Sequence, residues 1–377
     1  MMVTINNYII HRQVLASYNH TDVNITYALL FLSLVLELTM ACVASPDIAY
    51  CLSSRRNMGE QQGEGIWSDQ VHQYNLIGYL ARNRKHRNLM KLATLLVCKD
   101  FLDQLWCMKP SRSSSNITKL IHGYIRVGWH LQINDITTYR KFNDNRGQWT
   151  LDRKGLLGNL GWSLGRPFDE SVLLWHLATD FCFHSMAMDI PPAAQEAARC
   201  SREMSNYMVY LLFVNPEMLM PGARRSLFRD TYNELEGMTL DEKSPLGDKE
   251  IAQNIINRVK DKEGPSVVVH AWEIAQELMN NPVLQGGDKG KMWRVIQGVW
   301  VEMLCFSAGR CRGYLHAKSL GKGGEYLSYV WLLLSYMGME TLAEKMQRTE
   351  LQEGIHEGGI GTRNRWASGA TSSDNIV

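Results

Sequence analysis

The apolar run Tyr27–Ala44, with one glutamate, Glu37, near its middle, constrains this chain more than any other segment. A membrane-spanning helix needs about 17–25 mostly apolar residues, whereas runs of about 10–14 point to a buried helix in a water-soluble domain. Leu29, Leu30, Phe31, Leu32, Leu34, Val35, Leu36, Leu38 and Val43 together favour insertion by about 3 to 5 kcal/mol. An acidic residue at the helix centre costs about 2.5 to 3.5 kcal/mol, so the sum is narrow but permits a span. A secretory signal peptide fits less well, because its apolar core is shorter and its basic start lies close to the first residue. No second segment reaches this length, so the run predicts a single anchor.

Flanking charge orients the anchor. Arg12 stands before it, while Arg55, Arg56, Arg82, Arg84, Lys85, Arg87 and Lys91 follow. The positive-inside rule therefore predicts a cytosolic C-terminal part and a lumenal or extracellular N-terminus. Two glycosylation sequons, at Asn19 and Asn24, fall on that outer side. The expected partners are the lipid bilayer and another transmembrane helix in contact with Glu37, since acids within a membrane usually face other helices.

The remainder reads as helices joined by polar linkers, giving a mainly α class: one transmembrane helix followed by a cytosolic multi-helix domain. The expected divisions are 1–56 with the anchor at 27–44, a helical region 57–215, a charged linker 216–265 holding one helix at Lys249–Lys260, a C-terminal helical hairpin region 266–350, and a disordered tail 351–377. Helices are expected at Ser68–Leu80, Leu89–Met108, Glu170–Met188 with Asp169 as N-cap, Ala193–Val214, Val267–Asn280, Met292–Leu320 and Gly324–Met346. Ile117–Tyr139 fits helix and strand equally. The net charge of +2 over 377 residues excludes a dedicated nucleic-acid binder. Eight cysteines without a C-x-x-C pair exclude a zinc ribbon or a thioredoxin-like motif.

Three patterns carry chemistry at first sight. Gly161-Trp162-Ser163-Leu164-Gly165 matches a nucleophile elbow, but no β-branched strand precedes it. His176, Asp180 and His184 repeat every four residues along one helical stripe, close enough to share an ion. The pattern lacks a second ligand set, so a hydrogen-bonding role is expected for His176 and Asp180. Metal binding, or acid–base catalysis in a membrane-bound enzyme, is the alternative. Gly321-Lys322-Gly323-Gly324-Glu325 lacks phosphate-loop spacing and reads as a helix-to-helix turn. No catalytic residue and no cofactor are expected.

Several longer blocks resemble a known family. Leu173–Cys182, Ser205–Leu212 with Pro216–Leu219, Trp300–Leu304, Cys311-Arg312, His316-Ala317, Gly323-Gly324-Glu325 and Val330–Leu332 carry the resemblance. Looser matches lie at Trp67-Ser68, Gln73–Leu76 and Gly147–Trp149. The family is a large one of plant membrane proteins, defined by two paired domains of unknown function, forty-two-twenty followed by five-nine-four. The resemblance implies an integral membrane protein with a cytosolic helical region, and supplies no activity or catalytic residue. It implies structural or interaction positions at Glu302, His316, Gly323, Gly324 and Glu325, to which Glu37 is added from the anchor. Family members usually begin with several more spans, so the chain reads as N-terminally shortened. The expected role is a non-enzymatic scaffold or interaction protein.

Overall fold

The structure, a computed structural model, describes residues 24–34, 71–95, 114–186, 190–239, 247–262, 264–285, 290–321 and 324–347. Two compact units divide the chain, Met1–Glu60 and Gln61–Val377. Within the first, helix α1 covers residues 24–34 and exposes Tyr27, Leu29, Phe31 and Leu32. Glu37 and the rest of the apolar run lie outside the described residues. Among the described residues, no helix is long and apolar enough to cross a membrane.

The described part of the second unit is helical. In chain order it contains α2 (Leu76–Lys85), α3 (Arg87–Leu95), α4 (Ser114–Leu131), α5 (Ile136–Asn143), α6 (Gln148–Arg153), α7 (Leu157–Leu164), α8 (Phe168–Met186), α9 (Pro192–Val214), α10 (Pro216–Leu219), α11 (Arg225–Gly237), α12 (Asp248–Val259), α13 (Val267–Asn280), α14 (Pro282–Gln285), α15 (Gly290–Arg310), α16 (Gly313–Leu320) and α17 (Tyr326–Tyr336). Residues 342–347 form a last helical turn and a half.

Two helices form the centre. In α8 every residue from Ser171 to Cys182 is buried, and α15 is buried on nearly every side from Val299 to Cys305. Helices apolar all round belong inside a domain, with others packed about them. Accordingly α8 packs against α13 and α9, α9 packs against α15, and α17 packs against α15. Buried indoles tie these layers: Trp175 Nε1 donates to Ser163 Oγ of α7 at 3.0 Å, and Trp300 Nε1 donates to Thr179 Oγ1 of α8 at 3.0 Å.

Several sequence expectations change in detail. The helix expected from Ser68 begins at Leu76, because residues 72–75 run without regular structure into the N-cap Asn75, whose Oδ1 accepts from Gly78 N at 2.8 Å. The ambiguous segment after Ile117 is helical, as α4 and α5. Asp169 lies inside the first turn of α8 rather than at its N-cap, and its carboxylate turns to Arg224. Residues 216–265 hold α10, α11 and α12, whose Phe228, Tyr232, Leu235, Ile251, Ile255 and Ile256 enter the core. The single helix expected over Met292–Leu320 breaks at Cys311-Arg312 into α15 and α16. Trp67-Ser68, Gly323 and the tail 351–377 lie outside the described residues.

Candidate functional site

The stripe His176–Asp180 sits in the middle of α8 with both side chains buried. His176 Nε2 accepts the backbone N–H of Leu76 at 3.2 Å, and His176 Nδ1 lies 2.8 Å from Ser205 Oγ on α9. An acceptor at Nε2 leaves the ring proton on Nδ1, so the ring is neutral and donates to Ser205. Burial pushes its pKa down to about 4, with Asp180 pulling up and Arg202 pushing down. Asp180 Oδ1 accepts from Arg202 Nε at 3.1 Å, and Oδ2 accepts from Asn75 Nδ2. Burial raises the Asp180 pKa, yet Arg202, both histidines and Asn75 outweigh it and hold the carboxyl below its ordinary value.

Asn75 joins the parts. Its Nδ2 also donates to Asn206 Oδ1 at 3.0 Å, while Tyr74 N donates to the Asn206 carbonyl at 3.1 Å. Gln73 Nε2 reaches the Glu203 carbonyl at 3.1 Å. Residues 73–76 are thus held along α9 and over α8 by polar groups at nearly every position. His184, half-buried and one turn further along, makes no hydrogen bond to His176 or Asp180 among the described residues; its ring contacts Phe183. Among the described residues no three His, Cys, Asp or Glu side chains are arranged to hold a metal ion.

Glu302 on α15 forms a second closed junction. Its Oε2 accepts Gly147 N at 2.8 Å and Trp149 N at 3.3 Å, and its Oε1 accepts Thr150 N at 2.7 Å and Thr150 Oγ1. The carboxyl therefore satisfies the orphan N–H groups at the start of α6, as an N-cap from another helix. Gly147 makes the approach possible, with φ of 125° and Leu164 and Val299 packed where a Cβ would stand. Burial drives the Glu302 pKa up to about 7 against these four donors.

Glu325 and His316 close the C-terminal helices. Glu325 accepts from Tyr207 Oη at 3.0 Å and Tyr210 Oη at 3.4 Å, with His72 Nδ1 3.6 Å away. Tyr207 Oη in turn accepts Leu327 N at 2.7 Å. Gly324, at φ of 78°, leaves room for the Tyr329 ring over the turn. His316 Nε2 donates to the Ala308 carbonyl at 3.2 Å and its Nδ1 faces Ser328 Oγ at 3.1 Å, while Trp331 stacks on the ring. Burial lowers the His316 pKa to about 4.

Ser163 of the elbow-like motif lies inside α7, fully buried, donating to Leu160 O and accepting from Trp175. Without a strained strand-to-helix turn or access to substrate, it has neither requirement of a nucleophile elbow. A cavity of about 20 Å³, room for about one water, lies among Tyr124, Asn145, Cys305 and Glu340, and neither His176 nor Asp180 lines it. Residue-by-residue reading missed Arg202. The signal for it was present, since Arg202, Ser205 and Asn206 share one face of α9 at helical spacing.

Residues 285–339 match the family model described as "Protein of unknown function, DUF594". The match spans α15, α16 and α17, and so includes Glu302, His316 and Glu325. Comparison with curated proteins and with solved structures found no match.

Proposed function

We propose that this chain is a membrane-tethered helical interaction protein without catalytic activity. The observation that carries this reading is the closure of its polar blocks on one another. Gln73–Leu76 meets the His176–Asp180 stripe and Ser205-Asn206, Gly147–Thr150 meets Glu302, and Gly324-Glu325 meets Tyr207 and Tyr210. In each junction the groups that acid–base chemistry would need are spent on backbone or side-chain partners inside the core. A general base must instead reach the proton it abstracts, directly or through one water.

The tether in this reading is the run Tyr27–Ala44, with the long C-terminal part in the cytosol and Glu37 turned to a partner helix. The match over 285–339 supports one half of the paired-domain resemblance, and the wider likeness to plant membrane proteins belongs to the same proposal. Carbonate extraction together with a glycosylation-shift test at Asn19 checks the tether. Retention in the membrane and a glycosylated Asn19 are expected; extractable protein with an unmodified Asn19 overturns it. For the non-enzymatic part, alanine at His176 is expected to lower stability, and a fully folded variant of unchanged stability overturns it.

A further inference from the structure

Helix α17, Tyr326-Leu327-Ser328-Tyr329-Val330-Trp331-Leu332-Leu333-Leu334-Ser335-Tyr336, carries no charge, yet it lies at the surface. An apolar helix of this kind is normally covered on all sides. Its inner side rests on α15. On one flank runs α4, pinned in parallel by Thr118 Oγ1 to Tyr326 Oη at 2.9 Å and by Trp129 Nε1 to Met337 O at 3.0 Å. On the other flank stands α16, pinned by the His316–Trp331 stack. Among the described residues nothing covers the outward side, which carries Leu332 and a Tyr336 that is 90% exposed. Trp129 of α4, 42% exposed, and Tyr314 of α16, 60% exposed, stand out from the two flanking helices.

The charges on these helices have one sign. None of α4, α16 and α17 contains an Asp or Glu, while Lys119 and Arg126 of α4 and Lys318 of α16 are exposed. Exposed aromatic and aliphatic tips on helices whose own charges are cations match the interface of a bilayer, where tyrosine and tryptophan settle at headgroup level and lysine and arginine meet anionic lipid. A second copy placed symmetrically on this face would bring the same cations together, which opposes self-association.

We propose that the face formed by α4, α16 and α17 docks on a bilayer surface bearing anionic headgroups, inserting Trp129, Leu332 and Tyr336 between the cations Lys119, Arg126 and Lys318. This goes beyond the tether, which would only keep the domain near a membrane.

The test uses the full chain in lipid nanodiscs, with an environment-sensitive fluorescent amino acid in place of Tyr336. Discs contain phosphatidylcholine alone or mixed with phosphatidylserine, and nitroxide-labelled lipid serves as quencher. A blue shift and lipid quenching in the phosphatidylserine discs are expected, reversed by salt. Lys119→Glu, Arg126→Glu and Lys318→Glu are each expected to weaken docking by at least about fivefold, from roughly 1 kcal/mol per charge. All three sites are exposed, and an unchanged melting curve verifies folding. A probe equally wet in both discs overturns the proposal. So does a blue shift that grows with protein concentration in detergent alone, which assigns the face to a second copy. Carbonate extraction reads the tether separately, so either reading can fail without the other.

Discussion

The backbone N–H of Leu76 donates to Nε2 of His176 at 3.2 Å, joining two positions one hundred residues apart in the sequence. That bond fixes the ring tautomer, directs Nδ1–H to Ser205, and seats the entry to α2 on α8. The histidine thus acts as a buried two-ended clamp. Alanine at His176 strands the Leu76 N–H and the Ser205 hydroxyl in the core and leaves a void. A loss of about 3 to 5 kcal/mol is expected in chemical denaturation. Alanine at the half-buried His184, whose ring contacts Phe183 and, among the described residues, bonds neither His176 nor Asp180, should change stability by less than about 1 kcal/mol. A His176 variant as stable as the parent would contradict the clamp and favour a catalytic role.

Asp180 and Arg202 form a pair in which only the carboxylate is fully buried. Removing Arg202 leaves that charge in the core with Asn75 as its hydrogen-bond donor. Arg202→Ala is expected to destabilise by about 3 kcal/mol, as in other buried pairs that lose one partner. The double variant with Asp180→Asn should lose less than the sum of the two single changes. Urea titrations of the four proteins measure this.

Stability should vary with pH in two opposed ways. His176 and His316 ionise near 4 in the fold, below the ordinary 6.5. The unfolded chain binds those protons more readily, so their contribution is complete above about 6.5 and is lost as pH falls through about 4. Glu302 is raised from 4.5 to about 7, so its contribution is complete below about 4.5 and is lost as pH rises through about 7. Two histidines outweigh one glutamate at acid pH. Urea midpoints should climb from about pH 4 to about 6.5, where the two histidines gain more than Glu302 loses, and then fall slightly to about pH 7.5 as the last of the Glu302 share goes.

Glycines on α4 and α15 offer a steric test. A Cβ at Gly128 would overlap the Phe142 ring, and one at Gly298 would stand 2.7 Å from Thr150 Oγ1, a partner of Glu302. Alanine at either position is expected to cost about 1 to 3 kcal/mol. Gly123 lies in the same helix as Gly128 with open space around it, and there alanine should stabilise by about 0.5 to 1 kcal/mol. Thermal melts of the three variants check the signs.

Helices with one dominant signal could be read from the sequence. Val267–Asn280 is helical over that span, with Ser266 as its N-cap, and Ala193–Val214 gains only Pro192. Composition misled over residues 216–265, where frequent charges hid the spacing of Phe228, Tyr232 and Leu235 that buries α11. The break at Cys311-Arg312 was hidden because the apolar seam continues through it: Cys311 is buried and Leu315 still packs on the core. Individual blocks could be recognised, but their pairings could not. Asn75 meeting Asp180, or Thr150 meeting Glu302, depends on long-range packing that local spacing does not encode.

Histidine C2 hydrogen–deuterium exchange, followed by mass spectrometry across pH, tests the closed clamp most directly. His176 is expected to exchange slowly, with no titration between pH 5 and 8, because both ring nitrogens are engaged and its pKa lies near 4. Fast exchange at His176 with a midpoint near the ordinary 6.5 would contradict it, and would mean an accessible imidazole free for chemistry.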